Sequence, residues 1–182
     1  MELLKRKVKI FILSGKARSG KDEVADIICN LYKDKKVKKL SYAYYLKQYV
    51  KNISNWDGSE DNKPRDLLQS VGIDLIKNKI DNKLLIRRLI EDIEVYSYFY
   101  DIIVITDARL IDEVEDIKNK YSDAKSIRIN RNKDNNLTHS QKEHVTETNL
   151  DNYNNFDYVI ENNNDYSNLE KEVNKILEDV NE

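Results

Sequence analysis

The sequence predicts an α/β protein with three layers, in which a parallel sheet of roughly five strands is covered by helices on both faces. Short apolar runs alternate along the chain with longer segments in which apolar residues recur every three or four positions. The run over residues 101–107 is β-branched and apolar almost throughout, which is typical of a strand buried on both faces. The predicted strands are residues 8–13, 37–40, 101–107, 126–130 and 156–162.

Length and composition predict a single small domain. The chain has 182 residues and a formal net charge of −2, from 31 Lys and Arg against 33 Asp and Glu, so no overall basic field attracts nucleic acid. Its one cysteine, Cys29, excludes a disulfide framework and a cysteine-based zinc site. No apolar stretch approaches the roughly 18 residues of a membrane span. We therefore expect a cytoplasmic protein with a small-molecule substrate and no membrane or nucleic-acid partner; a homodimer is compatible with the sequence.

The first strand leads into a loop bounded by two glycines, and an apolar-periodic helix follows. The loop and the start of the helix are Gly15, Lys16, Ala17, Arg18, Ser19, Gly20, Lys21 and Asp22. Strand, glycine-bounded loop, lysine and helix form the phosphate-binding P-loop, in which backbone N–H groups and the helix N-terminus surround an anion. This motif makes the fold class the three-layer P-loop NTPase fold, in which Lys21 supplies a positive charge for the β- and γ-phosphates of the ligand.

Asp22 departs from the motif, because Ser or Thr usually holds Mg²⁺ at this position. A carboxylate also binds Mg²⁺, directly or through water, so we expect Asp22 to be a metal ligand. The negative charge beside the phosphates makes a bound cation nearly obligatory. The alternative is that the segment is only a glycine turn before a helix.

Residues 42–98 are predicted to form a helical block between two strands, with helices over 42–53, 65–75 and 82–98. Pro64 suits the first turn of the second helix, and Gly72 interrupts it. The block is longer than an ordinary crossover between parallel strands. It is therefore expected to hold the second substrate.

The buried strand 101–107 ends in Asp107-Ala108-Arg109. Ligands of open parallel sheets bind beyond the carboxyl ends of the strands, so these side chains are expected to face the same crevice as the P-loop. Asp107 is a candidate for organising Mg²⁺, or alternatively a cap for the helix predicted at 110–121. Arg109, together with Arg18 and Lys21, would neutralise charge on a transferred phosphoryl group.

The polar segment 131–150 is expected to be a lid over the nucleotide, because long loops in compact domains are commonly functional. Arg131 at its start is a candidate ligand for a nucleotide phosphate. The segment also contains both histidines, His139 and His144, which lack a third partner at metal-ligand spacing. After the last strand, Ser167 and Glu170 predict a capping box for the closing helix.

Several segments together resemble the deoxynucleoside monophosphate kinases of phages and bacteria. These segments are the P-loop with its Lys-Asp ending, Arg65-Asp-Leu-Leu-Gln-Ser-Val-Gly-Ile-Asp74, Asp107-Ala-Arg109, His144-Val-Thr-Glu147 and the strand through Asn162. The P-loop, the lid and the last strand also resemble animal-type phosphomevalonate kinases. The resemblance spans nearly the whole chain and is loose between residues 42 and 62. It implies a nucleoside-monophosphate-kinase-like fold that uses ATP and Mg²⁺.

The same resemblance implies further site residues. It places Gln69, Asp74, His144 and Glu147 with Arg65 in substrate binding, and Asn162 in cofactor binding. The expected reaction is phosphoryl transfer from ATP to a (deoxy)nucleoside monophosphate, with Arg65 and Arg88 gripping the phosphate of this acceptor. Phosphomevalonate is the alternative acceptor, and a non-catalytic nucleotide sensor or a nucleic-acid-dependent NTPase are alternatives from other classes.

Overall fold

The computed structural model describes residues 3–132 and 137–181. Within them, five strands form one sheet in the order β2-β3-β1-β4-β5, and every neighbouring pair is parallel. The strands are β1 Lys9–Ser14, β2 Val37–Leu40, β3 Ile102–Ala108, β4 Lys125–Asn130 and β5 Tyr158–Glu161. The predicted parallel sheet is confirmed, and β1, which leads into the P-loop, lies at its centre.

Eight α-helices occur in the described part of the chain. They are α1 Lys21–Leu31, α2 Ala43–Ile53, α3 Arg65–Gln69, α4 Leu84–Tyr96, α5 Ile111–Lys120, α6 His139–Glu143, α7 Val145–Thr148 and α8 Tyr166–Asn181. Between α3 and α4 the chain continues as a π-helix over Ser70–Ile80.

Alternation along β1 divides the core into two layers. Phe11 and Leu13 pack with the apolar faces of α1 and α8. Ile10 and Ile12 pack on the other face of the sheet, with residues of α4 and α5. All four side chains are buried, which is why this strand reads as a nearly continuous apolar run. The three-layer arrangement predicted from the sequence is confirmed.

The helical block between β2 and β3 has a small core of its own. Val50 of α2 packs with Trp56, Leu68 and residues of the π-helix. At Gly72 a Cβ atom would lie 3.0 Å from Cδ2 of Leu46, so the glycine allows α2 and the π-helix to approach closely. This separate core holds α2, α3 and the π-helix together as one wall of a cleft, while α4 packs on the sheet.

Three local predictions differ from the structure. The helix expected at 65–75 is a short α-helix that widens into the π-helix. The final helix begins at Tyr166 and is capped by Asp165, whose Oδ1 accepts a hydrogen bond from N–H of Asn168 at 2.9 Å, so Ser167 lies inside the helix. The segment expected to be an irregular lid contains α6 and α7, and its residues 133–136 lie outside the described part.

No helix among residues 3–132 and 137–181 combines the length and the apolar composition that crossing a membrane requires.

Candidate active site at the P-loop

Strand register places the P-loop beside the ends of β3 and β4. Ser14, the last residue of β1, is level with Ala108 on one side and Arg128 on the other. Because all the strands are parallel, the loop after Ser14 and the chain after Ala108 emerge at the same edge of the sheet. The sequence-based expectation that Asp107 and Arg109 share a crevice with the loop is therefore met.

The backbone conformation of Gly20 and its contact with Asn162 shape the P-loop. Gly20 has a φ of 100°, a left-handed conformation that side chains rarely adopt, and a Cβ there would meet Nδ2 of Asn162 at 2.2 Å. That Nδ2 atom donates a hydrogen bond to the carbonyl of Ser19 at 2.9 Å. Asn162, which the resemblance placed in cofactor binding, thus contacts the loop itself and fixes its shape from the end of β5.

Lys21 lies beneath the loop as the first residue of α1. Its ammonium group donates hydrogen bonds to the carbonyls of Gly15 and Lys16, both at 2.8 Å. The side chain is buried, and this burial, reinforced by the positive charge of Arg109, lowers the pKa of Lys21 to about 7. A phosphate group within reach would reverse this effect, because an anion stabilises the charged amine.

A carboxylate from α7 lies inside the loop. Glu147 is buried, and its Oε2 accepts a hydrogen bond from the backbone N–H of Ala17 at 2.9 Å. Its Oε1 accepts a hydrogen bond from the guanidinium of Arg109. The loop amide and the arginine that we expect to bind phosphate therefore meet on one carboxylate.

Asp107 caps a different helix from the one considered in the sequence. Its carboxylate accepts hydrogen bonds from the Ser41 hydroxyl at 2.7 Å, from N–H of Tyr42 at 2.8 Å and from N–H of Ala43 at 3.0 Å. These groups belong to the start of α2, so the interpretation of Asp107 as a cap for the helix after β3 is wrong. Oδ1 accepts one of the three bonds and retains a lone pair for a cation or its water.

The turn after β3 is held instead by Glu113 of α5. Its Oε2 accepts hydrogen bonds from the backbone N–H groups of Arg109 at 2.7 Å and Leu110 at 3.0 Å. Burial raises the pKa of Glu113 to about 8. Glu113 thereby fixes the backbone from which the Arg109 side chain reaches the P-loop. The acidic residue at N3 of the helix was the sequence signal for this contact.

One cavity of about 570 Å³ joins the P-loop to the helical block. At one end it is lined by Ala17, Arg18, Lys21 and Asp22, with Asp107, Arg109 and Glu147 beside them. At the other end it is lined by Arg65 and Gln69 of α3, and its apolar wall includes Leu46, Leu68, Ile73 and Ile86. The structure thus brings most of the expected catalytic and substrate-binding residues to one continuous space.

Lys47 and Lys63, at the far end of this cavity, were not singled out in the sequence. Lys63 donates a hydrogen bond to Glu60 at 2.7 Å, and Arg65 forms a longer ion pair with the same carboxylate at 3.7 Å. Burial and the neighbouring cations Lys47 and Arg65 lower the pKa of Lys63, although Glu60 opposes this effect. The position of Lys63 directly before Pro64 at the start of a predicted helix was the available signal.

Three expected substrate-binding residues do not line this cavity. Asp74 is exposed and accepts a hydrogen bond from Ser70, and Arg88 is exposed and pairs with Glu91. His144 caps α7, its Nδ1 accepting a bond from N–H of Thr146. Asp74 and His144 are engaged within their own local segments, whereas the guanidinium of Arg88 also lies over the ring of Tyr45, 5.8 Å from its centroid.

A second cavity of about 550 Å³ lies on the β4 and β5 side of the loop. Its lining includes Lys16, Ser19, Arg131 and the ring of Phe156. Ser19 Oγ and Arg131 Nε are buried and have no hydrogen-bond partner among the described residues. Unpartnered buried polar atoms are costly, so this cavity is suited to a polar ligand.

No group of three or more His, Cys, Asp or Glu side chains within residues 3–132 and 137–181 is arranged to hold a metal ion. Asp22 and Asp107 nevertheless line the same cavity. Mg²⁺ at phosphate-transfer sites commonly has one or two carboxylates and completes its shell with phosphate oxygens and water. The two aspartates fit that donor set.

Two kinases of solved structure have the same overall fold as this chain. The chain is similar to shikimate kinase from Bacteroides thetaiotaomicron, at 14% identity and a TM-score of 0.56 over 96% of this chain and 99% of that chain. It is also similar to dephospho-CoA kinase from Campylobacter jejuni, at 15% identity and a TM-score of 0.52 over 94% and 97% of the two chains. The fold and the loop geometry thus define the three-layer P-loop fold.

The sequence assigns the chain to a particular family within that class. The family model for deoxynucleotide monophosphate kinase matches residues 42–173, which is well over half of the chain. The chain belongs to the deoxynucleotide monophosphate kinase family. The P-loop precedes the matched range, so its assignment depends on the motif and geometry described above. No curated protein matches the sequence.

Proposed function

We propose that the protein transfers the terminal phosphoryl group of ATP to a (deoxy)nucleoside monophosphate, giving the diphosphate and ADP. The observation that carries this proposal is the single cavity that extends from Lys21 to Arg65. Phosphoryl transfer requires the donor and the acceptor to be held in line, and a continuous cavity with cationic groups at both ends provides this. Membership of the family supports a nucleotide acceptor.

The donor phosphates would lie in the P-loop. The backbone N–H groups of residues 15–21 and the ammonium group of Lys21 would hold them, with Arg18 and Arg109 neutralising charge as the phosphoryl group moves. Asp22 and Asp107 would hold Mg²⁺, which supplies charge neutralisation between the phosphates. The second cavity, with Arg131, is the proposed place for the rest of the donor nucleotide.

The acceptor would lie against the helical block, residues 42–98. We assign its phosphate to Arg65 with Lys63 and Lys47. Lys63 and Arg65 pair with Glu60 and Lys47 acts on it electrostatically, and an anionic substrate can replace this exposed carboxylate. Gln69 and the apolar wall would face the base. This arrangement matches the preference of small-molecule pockets for apolar walls with a few polar groups.

The proposed reaction requires no proton transfer by a side chain of this site. A phosphate monoester has its second ionisation near pH 6, so the acceptor oxygen is already anionic at neutral pH and a general base is not required. The more serious side reaction is attack by water on ATP. Closure of the lid, residues 131–150, over the nucleotide would exclude water from the cavity.

The test is a transfer assay with ATP and Mg²⁺ over all ribo- and deoxyribonucleoside monophosphates, with phosphomevalonate as an additional acceptor. We expect one or a few deoxynucleoside monophosphates to be converted to diphosphates much faster than ATP is hydrolysed without an acceptor. Transfer to phosphomevalonate alone would contradict the acceptor assignment. ATP binding without transfer to any acceptor would contradict the proposed reaction.

A further inference from the structure

The Glu147 carboxylate occupies the place in the P-loop where an anionic ligand is expected. Only 7% of its side chain is exposed, and each of its two oxygens has a specific partner. Oε2 accepts the N–H of Ala17 at 2.9 Å, and Oε1 accepts a hydrogen bond from Arg109. A buried carboxylate held by a backbone amide and a guanidinium satisfies the same donors that would hold a phosphate oxygen.

The hydrogen bonds of Lys21 are those of a loop that holds no phosphate. Its ammonium group bonds to two carbonyls of the loop, and neither bond goes to Glu147. Glu147 nevertheless acts on Lys21 electrostatically, in opposition to Arg109. A phosphate placed in the loop would compete with Glu147 for Ala17 and Arg109, because two anions cannot share these donors without strong repulsion.

We propose that Glu147 is an internal substitute for phosphate: it positions Arg109 and the P-loop in the nucleotide-free enzyme and leaves when a polyphosphate binds. The inference rests on the proposed function only in so far as the loop binds phosphate. Because the carboxylate has to be displaced, nucleotide affinity is lower than the loop alone would provide. In return, Arg109 is held in place before the substrate arrives.

Displacement of Glu147 also reaches the acceptor side of the cavity. Thr146, the preceding residue, accepts a hydrogen bond from Gln69 of α3 at 3.5 Å, and Gln141 donates one to Asp66 at 2.7 Å. Movement of residues 145–149 would therefore change the contact of Thr146 with the helix that we assign to acceptor binding, beside the neighbouring contact of Gln141 in α6. Donor binding would in this way alter the acceptor end of the same cavity.

The first experiment compares binding of inorganic tripolyphosphate to the wild type, Glu147→Gln and Glu143→Gln by calorimetry. Glu143 is a suitable control because it is an exposed lid glutamate that pairs with His139. We expect Glu147→Gln to bind tripolyphosphate about tenfold or more tightly, because the competing charge is removed, and Glu143→Gln to bind as the wild type does. Equal or weaker binding by Glu147→Gln would overturn the proposal and assign Glu147 to ligand or metal binding.

A second experiment uses only the wild type, so it is decisive even if Glu147→Gln does not fold. Hydrogen exchange is measured with and without tripolyphosphate. The amides of Glu147 and Asn149, which bond to His144 and Val145, are expected to exchange faster when the anion is present, while those of the P-loop exchange more slowly. Slower or unchanged exchange in residues 145–149 would overturn the proposal. Neither experiment requires an acceptor, so failure of the transfer assay leaves this test intact.

Discussion

At the scale of single residues, the charges of the site are held by specific partners. Lys21 bonds to the loop carbonyls, Arg109 to Glu147, and Asp107 to the start of α2. The sequence predicted the identities of Lys21, Asp107 and Arg109 because motif position and strand ends fix where such residues lie. It could not predict the partners of Asp107 and Arg109, because those contacts join segments far apart in the chain, whereas Lys21 bonds to carbonyls only five and six residues before it.

The lowered pKa of Lys21 predicts proton uptake when ATP binds. At pH 8 a group with a pKa of about 7 is mostly neutral in the empty enzyme, and the polyphosphate favours its charged form. Uptake should therefore approach one proton at pH 8, and ATP affinity should fall as pH rises from 7 toward the higher pKa of the complex. Calorimetry at pH 8 in buffers of different ionisation enthalpy measures this number.

Lys21→Met provides the control for proton uptake. The variant keeps the length and apolar stem of the side chain, so the fold should persist, while uptake at pH 8 and nearly all transfer activity should be lost. Uptake that is unchanged in Lys21→Met would assign the proton to another group.

Substitution of Arg65 tests the acceptor site, and substitution of Arg88 is its control. Arg65 lines the cavity, whereas Arg88 is exposed on α4 and pairs with Glu91. Arg65→Ala should raise the KM for the monophosphate about tenfold to a hundredfold, because a charge-assisted phosphate contact contributes roughly 1.5–3 kcal/mol. Arg88→Ala should leave that KM within about twofold, since an exposed ion pair contributes little. Equal effects of the two substitutions on KM would remove Arg65 from the acceptor site.

At the scale of elements, periodicity and breaker residues predicted the strands and most helices closely. Strand β2 has the bounds expected from the sequence, and α2 begins one residue later than expected. The π-helix was not predicted, because π-helices of this kind are rare and the apolar spacing of residues 65–75 is that of an ordinary helix. The helices of the lid were missed because α6 and α7 are too short, at five and four residues, to show periodicity.

Alanine substitution of Gly20, the residue before α1, tests the geometry of the P-loop, and substitution of Gly58 is the control. Gly20 and Gly58 both have positive φ, at 100° and 95°, but only Gly20 lies in the P-loop. Alanine at either position should cost about 1–2 kcal/mol of stability, because a Cβ is strained in the left-handed conformation. Only Gly20→Ala should also lose ATP binding, since its Cβ would displace Asn162 from the loop.

Chemical denaturation and nucleotide binding of the two glycine variants check this prediction together. Loss of ATP binding in Gly58→Ala as well would show that general destabilisation, rather than loop geometry, is responsible.

At the scale of the whole molecule, the sheet order places the P-loop between two cavities. The 570 Å³ cavity faces the helical block, and the 550 Å³ cavity lies toward β4 and β5. A single-domain α/β kinase could be expected from the sequence because a central strand leads into the loop. The relative placement of the two cavities could not, because it depends on how the block and residues 137–156 pack over the sheet.

Competition by a bisubstrate analogue tests most directly whether donor and acceptor share one site. The analogue joins adenosine to the preferred acceptor nucleoside through five phosphates. If the phosphates lie between Lys21 and Arg65, it should compete with both substrates and bind about a hundredfold or more tightly than ATP, because one molecule replaces two. Competition with ATP alone, at an affinity no better than that of ATP, would contradict a shared transfer cavity.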